Sequence, residues 1–428
     1  MAIFGNKKTP DDEVERLRRA VEELSILNEL ASSISMSQDS DAMIKTIVSR
    51  SVKAVGAEEV SITMTNAEDM DLGRTLHFDI DSKVGDDHKH LTREIKGCMY
   101  HEKRALLVND PANHQIFRNI KVPEGYRNFL CVPLMVKADI IGILTAFNKI
   151  GGDFTTDDQR LLAIIGTQSA QVLDKKRTDE DAVAVAQMKH DMQLAEMIQG
   201  GLLPKGAPDI PGFDVAGDSV AAGHVGGDYF DFIPLKDNRW AFALGDVSGK
   251  GVPAALLMAN LQATLRSQVL QGTSCHQCLS NCNKLLYLST THDRFATLFY
   301  ARLDTRSNVL TYCNAGHERP FHLTASGEKH RLASGGLAVG ILENFDYEDD
   351  IVILQPGDML VVFSDGVTDM INHRDEAFGE HRLETLLDGS HDLSAQEIVE
   401  LITAEVKKHA GDEPAFDDVT VMVIKKNH

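Results

Sequence analysis

The sequence is short of basic charge. It carries 43 Lys and Arg against 64 Asp and Glu, a formal net charge of −21 over 428 residues. Binding to polyphosphates or anionic lipid needs an excess of clustered cations, so this balance excludes a general nucleic-acid or membrane-surface binder. Long apolar runs are also missing. No stretch reaches the roughly 18 apolar residues of a membrane span. The amino end, Met1-Ala2-Ile3-Phe4-Gly5-Asn6-Lys7-Lys8, has no apolar core of signal-peptide length. A cytoplasmic protein is expected. Cysteine is sparse, six in all, which argues against a disulfide scaffold and for reduced thiols. Internal repeats and low-complexity segments are absent. What remains is an ordinary globular composition, with length for two or three domains at roughly 150 residues each.

Residues 1–36 read as a helix. Val14, Leu17, Val21, Leu24, Asn28 and Ala31 fall on alternating three- and four-residue steps, a short heptad seam that points to a homodimer. The plainer alternative is an amphipathic helix packed on its own domain. Residues 37–174 read as one α+β domain, with a helix over 42–55 and strands over 60–64, 129–136 and 140–147. Phe154-Thr155-Thr156-Asp157-Asp158 opens a further helix, with Thr156 the expected cap. Residues 175–204 continue it as a polar linker, which Leu202-Leu203-Pro204 ends because proline cannot extend a helix. Residues 205–428 alternate strands and helices. Helices are expected over 253–270, 275–288, 378–387 and 394–409, and strands over 240–244, 295–303, 309–313, 351–354, 359–363 and 419–424.

The chemistry sits at strand ends. Asp228 follows Gly226-Gly227, Asp246 follows the apolar run ending at Gly245, Asp365 follows 359–364, and Asp417-Asp418 precede the last strand. One such turn means little, since Gly and Asp are common turn residues. Turn chemistry does not require Asp every time, because Asn, Gly or Ser would serve as well. Carboxylates without His or Cys partners select a hard cation, Mg²⁺ or Mn²⁺ rather than Zn²⁺. Two such ions sharing a carboxylate can activate water and clamp a phosphate. The residues alone therefore point to metal-assisted hydrolysis of a phosphate ester. Cys275, Cys278 and Cys282 share one helix face beside His276. A packed face is the expectation there, since no second Cys pair completes a zinc site.

The second half resembles the metal-dependent protein phosphatase (PPM) superfamily, in its bacterial branch typified by RsbU and SpoIIE. The matching segments include Gln199…Leu202-Leu203-Pro204, Gly226-Gly227-Asp228-Tyr229-Phe230-Asp231, Gly245-Asp246-Val247-Ser248-Gly249-Lys250-Gly251, Asn314-Ala315-Gly316-His317, Ser364-Asp365-Gly366 and Asp417-Asp418-Val419-Thr420. The resemblance implies an α-β-β-α sandwich with two Mn²⁺ or Mg²⁺ ions between its sheets. By motif, Asp246 would bridge the ions and the Val247 carbonyl would ligate one. Asp365 and Asp417 would hold the second ion, and Asp228 would act on the opposite one. Water would then attack phosphorus in line, without a phospho-enzyme. Asp231 and Asp418 would support the site from alongside, and His317 is a candidate for a proton role. Val247-Ser248 replaces the Gly-His that follows the bridging aspartate in eukaryotic relatives. The general acid is thus unassigned, and no match for the eukaryotic phosphate-binding arginine is found.

Residues 37–174 resemble a GAF domain. The resemblance rests on Val132-Pro133-Leu134, Ile141-Gly142-Ile143-Leu144, Asn148-Lys149, and Phe154 before an acidic helix start. GAF domains sense small ligands or dimerise. Gln159 stands where cyclic-nucleotide GAF domains carry glutamate. Cys98, Cys131, His88, His90 and His101 read as core or surface residues rather than a chromophore or metal site. Together the resemblances imply a GAF-regulated serine/threonine phosphatase acting on a phosphorylated STAS-type anti-anti-sigma protein. Gln199, Leu202 and Leu203 would relay the sensor's state. The alternatives are an inactive regulatory scaffold and a hydrolase of small-molecule phosphates.

Overall fold

Period-two alternation, with each strand sending successive side chains to opposite faces, organises both halves of the chain. The computed structural model describes residues 40–64, 75–78, 87–117, 122, 125–291 and 293–427. The heptad seam expected within 1–36 lies outside them, as do the side chains of His88 and His90. Two compact units are present, Met1–Ala186 and Gln187–His428.

In the first unit, α1 (Ser40–Val55) leads into β1 (Ala57–Met64) and β2 (Thr75–Phe78). Next come α2 (Asp87–Glu102), β3 (Leu106–Val108), β4 (Phe129–Val136) and β5 (Asp139–Lys149), and then α3 (Thr156–Gly200), whose residues from Gln187 onward belong to the second unit. The strands make one antiparallel sheet in the order β2-β1-β5-β4-β3. Along β4, Phe129 and Cys131 enter one core with Leu91, Ile95 and Met99 of α2. Leu130 and Val132 enter the other with Ile44 and Ile47 of α1 and Leu162 and Ile165 of α3. Helices thus cover both faces, as the GAF resemblance implies. The start of α3 corrects one expectation: the cap is Thr155, not Thr156. Thr155 Oγ1 accepts the Asp158 amide at 3.2 Å while Asp158 Oδ2 accepts the Thr155 amide at 2.9 Å. This reciprocal pair satisfies amides that the first turn leaves free.

In the second unit, β6 (Phe213–Val220), β7 (Tyr229–Pro234) and β8 (Arg239–Val247) precede α4 (Val252–Leu270) and α5 (Cys275–Ser289). Then follow β9 (Ala296–Asp304), β10 (Val309–Ala315), β11 (Phe321–Leu323), β12 (Lys329–Arg331), β13 (Gly335–Gly336), β14 (Asp350–Ile353) and β15 (Met359–Phe363). The chain ends with the short α6 (Asp365–Thr368), α7 (Gly379–Asp388), α8 (Ala395–Ala410) and β16 (Val419–Lys426). One sheet has the order β13-β10-β9-β8-β7 with β14 paired to β10, and the other the order β12-β11-β15-β16-β6. Phe242 and Leu244 of β8 meet Leu360 and Val362 of β15 and Met422 and Ile424 of β16 between the sheets. The alternate residues Ala241 and Ala243 pack on Met258, Leu261 and Leu265 of α4. Val361, Phe363, Val421 and Val423 pack on Leu383, Ile398 and Ile402 of α7 and α8. Burial of each such Leu, Ile, Val or Phe side chain stabilises the fold by about 1.5–3 kcal/mol. The result is an α-β-β-α sandwich. Its central strands read as continuous apolar runs because both of their faces are buried.

Candidate metal centre

Strand pairing brings the aspartates together. Tyr229 opposes Gly245, so the start of β7 lies beside the end of β8. Phe363 opposes Val421, so the end of β15 lies beside the start of β16. Cross-sheet hydrogen bonds join these two edges. Thr420 Oγ1 donates to Asp228 Oδ2 at 2.5 Å. Asp418 Oδ2 accepts the Gly227 and Asp228 amides at 2.6 and 3.1 Å, and its Oδ1 accepts the Ala222 amide at 2.8 Å. Asp228, Asp246, Asp365 and Asp417 therefore leave two sheets at one end of the sandwich.

Their electrostatics record the convergence. Burial, then the charge of Asp246, pushes the Asp228 carboxyl well above its ordinary range. Burial and the charges of Asp365, Asp417 and Asp418 push Asp246 up to about 7. Asp365 is raised by burial, then by Asp417 and Asp369. Gathered carboxylates disfavour one another's ionised form, which is the field a divalent cation relieves. The donor set fits such an ion, being hard oxygens only. Backbone geometry fits as well: a Cβ on Gly227 would stand 2.9 Å from the Val247 carbonyl oxygen and 3.5 Å from Asp246 Oδ1, so glycine leaves both oxygens clear. Among the described residues, no three Asp, Glu, His or Cys side chains already form a closed cage. The carboxylates sense one another's charge while standing apart.

Three neighbours have roles that sequence reasoning missed or blurred. Asp418 is the clasp that holds the Gly226-Gly227-Asp228 turn, and a Cβ on Gly226 would collide with its carboxylate. Asp231, expected beside the site, instead accepts two bonds from Arg266 of α4 at 2.6 and 3.0 Å and one from Tyr229 at 2.7 Å. Lys250, not singled out from sequence, lies 3.3 Å from Asp417 Oδ2. An apolar run ending in Gly245-Asp246 and followed by Gly249-Lys250-Gly251 was the available signal.

Gln199 closes a two-way pair with Gly226: its Nε2 donates to the Gly226 carbonyl at 2.6 Å and its Oε1 accepts the Gly226 amide at 3.0 Å. The Leu202 carbonyl accepts Gln262 Nε2 of α4 at 3.0 Å. Leu203 packs against both the α4 core and the inter-sheet core. A cavity of about 270 Å³ lies among Gln199, Leu203, Gly226, Asp228 and Asp418. His317 is buried, with Nδ1 2.9 Å from Thr297 Oγ1, which in turn lies 3.5 Å from the Asp246 carbonyl oxygen. Burial lowers its pKa to about 4, so at neutral pH the ring is uncharged and serves as a strut.

The remaining candidates pack or pair locally. Cys275, Cys278 and Cys282 are buried on the inner face of α5. Desolvation pushes the Cys275 thiol far up, and the Cys282 hydrogen bond together with desolvation does the same for Cys278. Cys98 and Cys131 are buried in the α2 core, and exposed His101 pairs with Glu102 at 3.5 Å. In the first unit, Lys149 Nζ donates to Asp158 Oδ1 and to the Val55 carbonyl, both at 2.8 Å. Asn148 ties Gly125 to Arg127, and Gln159 Nε2 donates to the Ala105 carbonyl at 3.0 Å. The Asn-Lys…Asp pattern is therefore spent on joining the unit's own loops.

Comparison with known proteins adds independent findings. The family model described as stage II sporulation protein E (SpoIIE) matches residues 236–427, and the GAF domain model matches residues 39–173. Asp228 precedes the first of these spans, so its place rests on geometry. Protein IcfG of Synechocystis sp. is 32% identical over 264 residues, which cover 55% of this chain and 42% of IcfG. Phosphoserine phosphatase RsbU of Bacillus subtilis is 32% identical over 242 residues, which cover 56% of this chain and 71% of RsbU. Among solved structures, the SiaA-PP2C domain of Pseudomonas aeruginosa shares the fold, with a TM-score of 0.51 at 20% identity over 57% of this chain and 99% of that one. No helix among the described residues is long and apolar enough to cross a membrane.

Proposed function

Because the chain belongs to the RsbU/SpoIIE family of serine/threonine phosphatases and carries a GAF domain, we propose that it is a metal-dependent protein phosphatase whose activity the GAF domain regulates. The observation that carries this reading is the convergence of Asp228, Asp246, Asp365 and Asp417 from four strand ends onto one edge. Two Mn²⁺ or Mg²⁺ ions bound there would supply Lewis acidity and an activated water for hydrolysis of a phosphate monoester. In this proposal Asp246 would serve both ions and the Val247 carbonyl one of them, Asp365 and Asp417 would hold the second, and Asp228 would serve the other.

The surrounding residues position that set. Asp418 fixes the turn that carries Asp228, and Thr420 orients the Asp228 carboxyl. Gln199, Leu202 and Leu203 form the regulatory seat. The Gln199 clasp on Gly226 joins the end of α3 to the same turn, so a shift of that helix end moves Asp228. The substrate we infer is a phosphoserine protein of the STAS type in a partner-switching pathway, since the relative RsbU is itself a phosphoserine phosphatase. A homodimer, an unidentified GAF ligand and a cytoplasmic location complete the proposal. A small-molecule phosphatase is the second reading, disfavoured by the likeness to the phosphoserine phosphatase RsbU.

The test is Mn²⁺ titration of phosphate release from a phosphoserine STAS-type protein, with Asp365→Ala and a nucleotide substrate alongside. Saturable activity on the phosphoprotein that vanishes in the variant supports the reading. Preference for the nucleotide refutes the substrate class. No hydrolysis at any Mn²⁺ level, with or without residues 1–186, leaves the scaffold alternative.

A further inference from the structure

The phosphatase reading leaves a requirement open. A phosphate group brought to a cluster of aspartates needs protein cations at its outer oxygens, or repulsion opposes its arrival. Arg266 is committed to Asp231 by two hydrogen bonds. Arg294 lies across Gly249 and donates Nη1 to the Ser248 carbonyl at 3.2 Å, so it braces the loop backbone. Lys250 is placed differently. Its ammonium lies 3.3 Å from Asp417 Oδ2, donates to the Phe416 carbonyl and stands 3.4 Å from the centroid of the Phe416 ring. Its charge also reaches Asp365, where it tempers the rise in pKa.

Four physical features follow. The Lys250 side chain is 51% exposed and its carboxylate partner 34%, so the pair is weakly held and readily exchanged. Lysine carries a compact charge with three donors on a flexible stem, suited to moving between anionic partners. The Phe416 ring, 70% exposed, keeps the ammonium at the rim through its π face and not within the cluster. Gly249 and Gly251 flank Lys250 with φ of 101° and 69°. In that left-handed region a side-chain-bearing residue would be strained, so the loop shape that carries Lys250 to Asp417 is built in.

We propose that Lys250 is the phosphate-anchoring residue of this site, exchanging Asp417 for a non-bridging oxygen of the substrate phosphate once a cation takes up the Asp417 charge. The proposal rests on the phosphatase reading and supplies the grip for which no arginine match exists in the sequence.

The experiment compares full-length wild type with Lys250→Met and Lys250→Arg in two measurements. Mn²⁺ binding is followed by the loss of the free-ion paramagnetic resonance signal. Binding of inorganic phosphate to the Mn²⁺-loaded protein is followed by calorimetry, together with KM for the phosphoprotein. A lost charge-assisted bond corresponds to about tenfold or more in affinity. Lys250→Met is expected to weaken phosphate binding and raise KM by that factor while Mn²⁺ binds as in wild type or more tightly. Lys250→Arg is expected to stay within about threefold of wild type, because it keeps the charge and donors. Phosphate binding and KM within twofold of wild type in Lys250→Met would overturn the proposal. So would loss of Mn²⁺ binding in that variant, which would make Lys250 a prop of the metal loop. Wild type that binds neither Mn²⁺ nor phosphate would instead refute the phosphatase reading beneath it.

Discussion

Replacing Asp246 by Asn should make the metal-free protein more stable while abolishing its Mn²⁺-dependent activity. The Asp246 carboxyl is raised from 3.8 to about 7 by burial and by Asp365, Asp417 and Asp418. A folded-state pKa above the unfolded value means that the ionised group is penalised in the fold. Stability is then highest below the unfolded pKa and falls as pH rises through the folded one. The shift sets a ceiling of about 4 kcal/mol on the penalty at pH 8, at 1.36 kcal/mol per pKa unit. Asparagine keeps an acceptor oxygen for the Val247 backbone but loses the charge that strengthens that bond, which trims the net gain to about 2–3 kcal/mol. For a unit of this size that corresponds to roughly 4–12 °C in Tm. The assay is thermal unfolding in chelator at pH 5 and pH 8, repeated with Mn²⁺ at pH 8. The variant should exceed wild type at pH 8, by less at pH 5, and should lose most of the Mn²⁺-induced rise. A variant melting at or below wild type at pH 8 in chelator, with a gap independent of pH, would refute the idea that Asp246 is strained by its neighbours.

Asp418 should behave in the opposite way. Asp418→Ala strands the amides of Ala222, Gly227 and Asp228 and should cost about 2–4 kcal/mol by denaturant unfolding even in chelator; a loss seen only with Mn²⁺ would make it a ligand. Gln199→Ala removes both bonds to Gly226 and should shift the Mn²⁺ half-saturation of activity by more than about threefold, at about 1 kcal/mol per net hydrogen bond. An unchanged metal curve would free the turn from α3. His317, held neutral by burial with a pKa lowered to about 4, should withdraw about 3 kcal/mol of stability as pH falls from about 6.5 to 4. His317→Gln should flatten that part of the stability–pH profile, and an unchanged slope would show that the loss comes from other groups.

Much of the fold was legible because it depends on local pattern. Met359–Phe363 is a strand with the bounds its apolar run suggests, and the helices at Cys275–Ser289 and Ala395–Ala410 begin and end within a residue or two of their periodicity. The Thr155 cap was misplaced by one position because two adjacent threonines are chemically alike, and only the geometry of Asp158 separates them. The short strands Phe321–Leu323, Lys329–Arg331 and Gly335–Gly336 carry too few residues for a period to show.

By itself, the sequence determined which carboxylates stand at strand ends. An apolar run buried on both faces terminates where the chain turns polar, and Asp246, Asp365 and Asp417 mark those points. Only tertiary structure decided what each neighbouring side chain does. Asp418 and Asp231 look alike in sequence, each beside a site motif. Yet Asp418 reaches 191 residues back to clasp Gly227, and Asp231 reaches 35 residues on to Arg266. Backbone hydrogen bonding and period follow from neighbours along the chain. A charged side chain's partner is set by which faces the two sheets and their helices bring together, and that information lies between segments rather than within them.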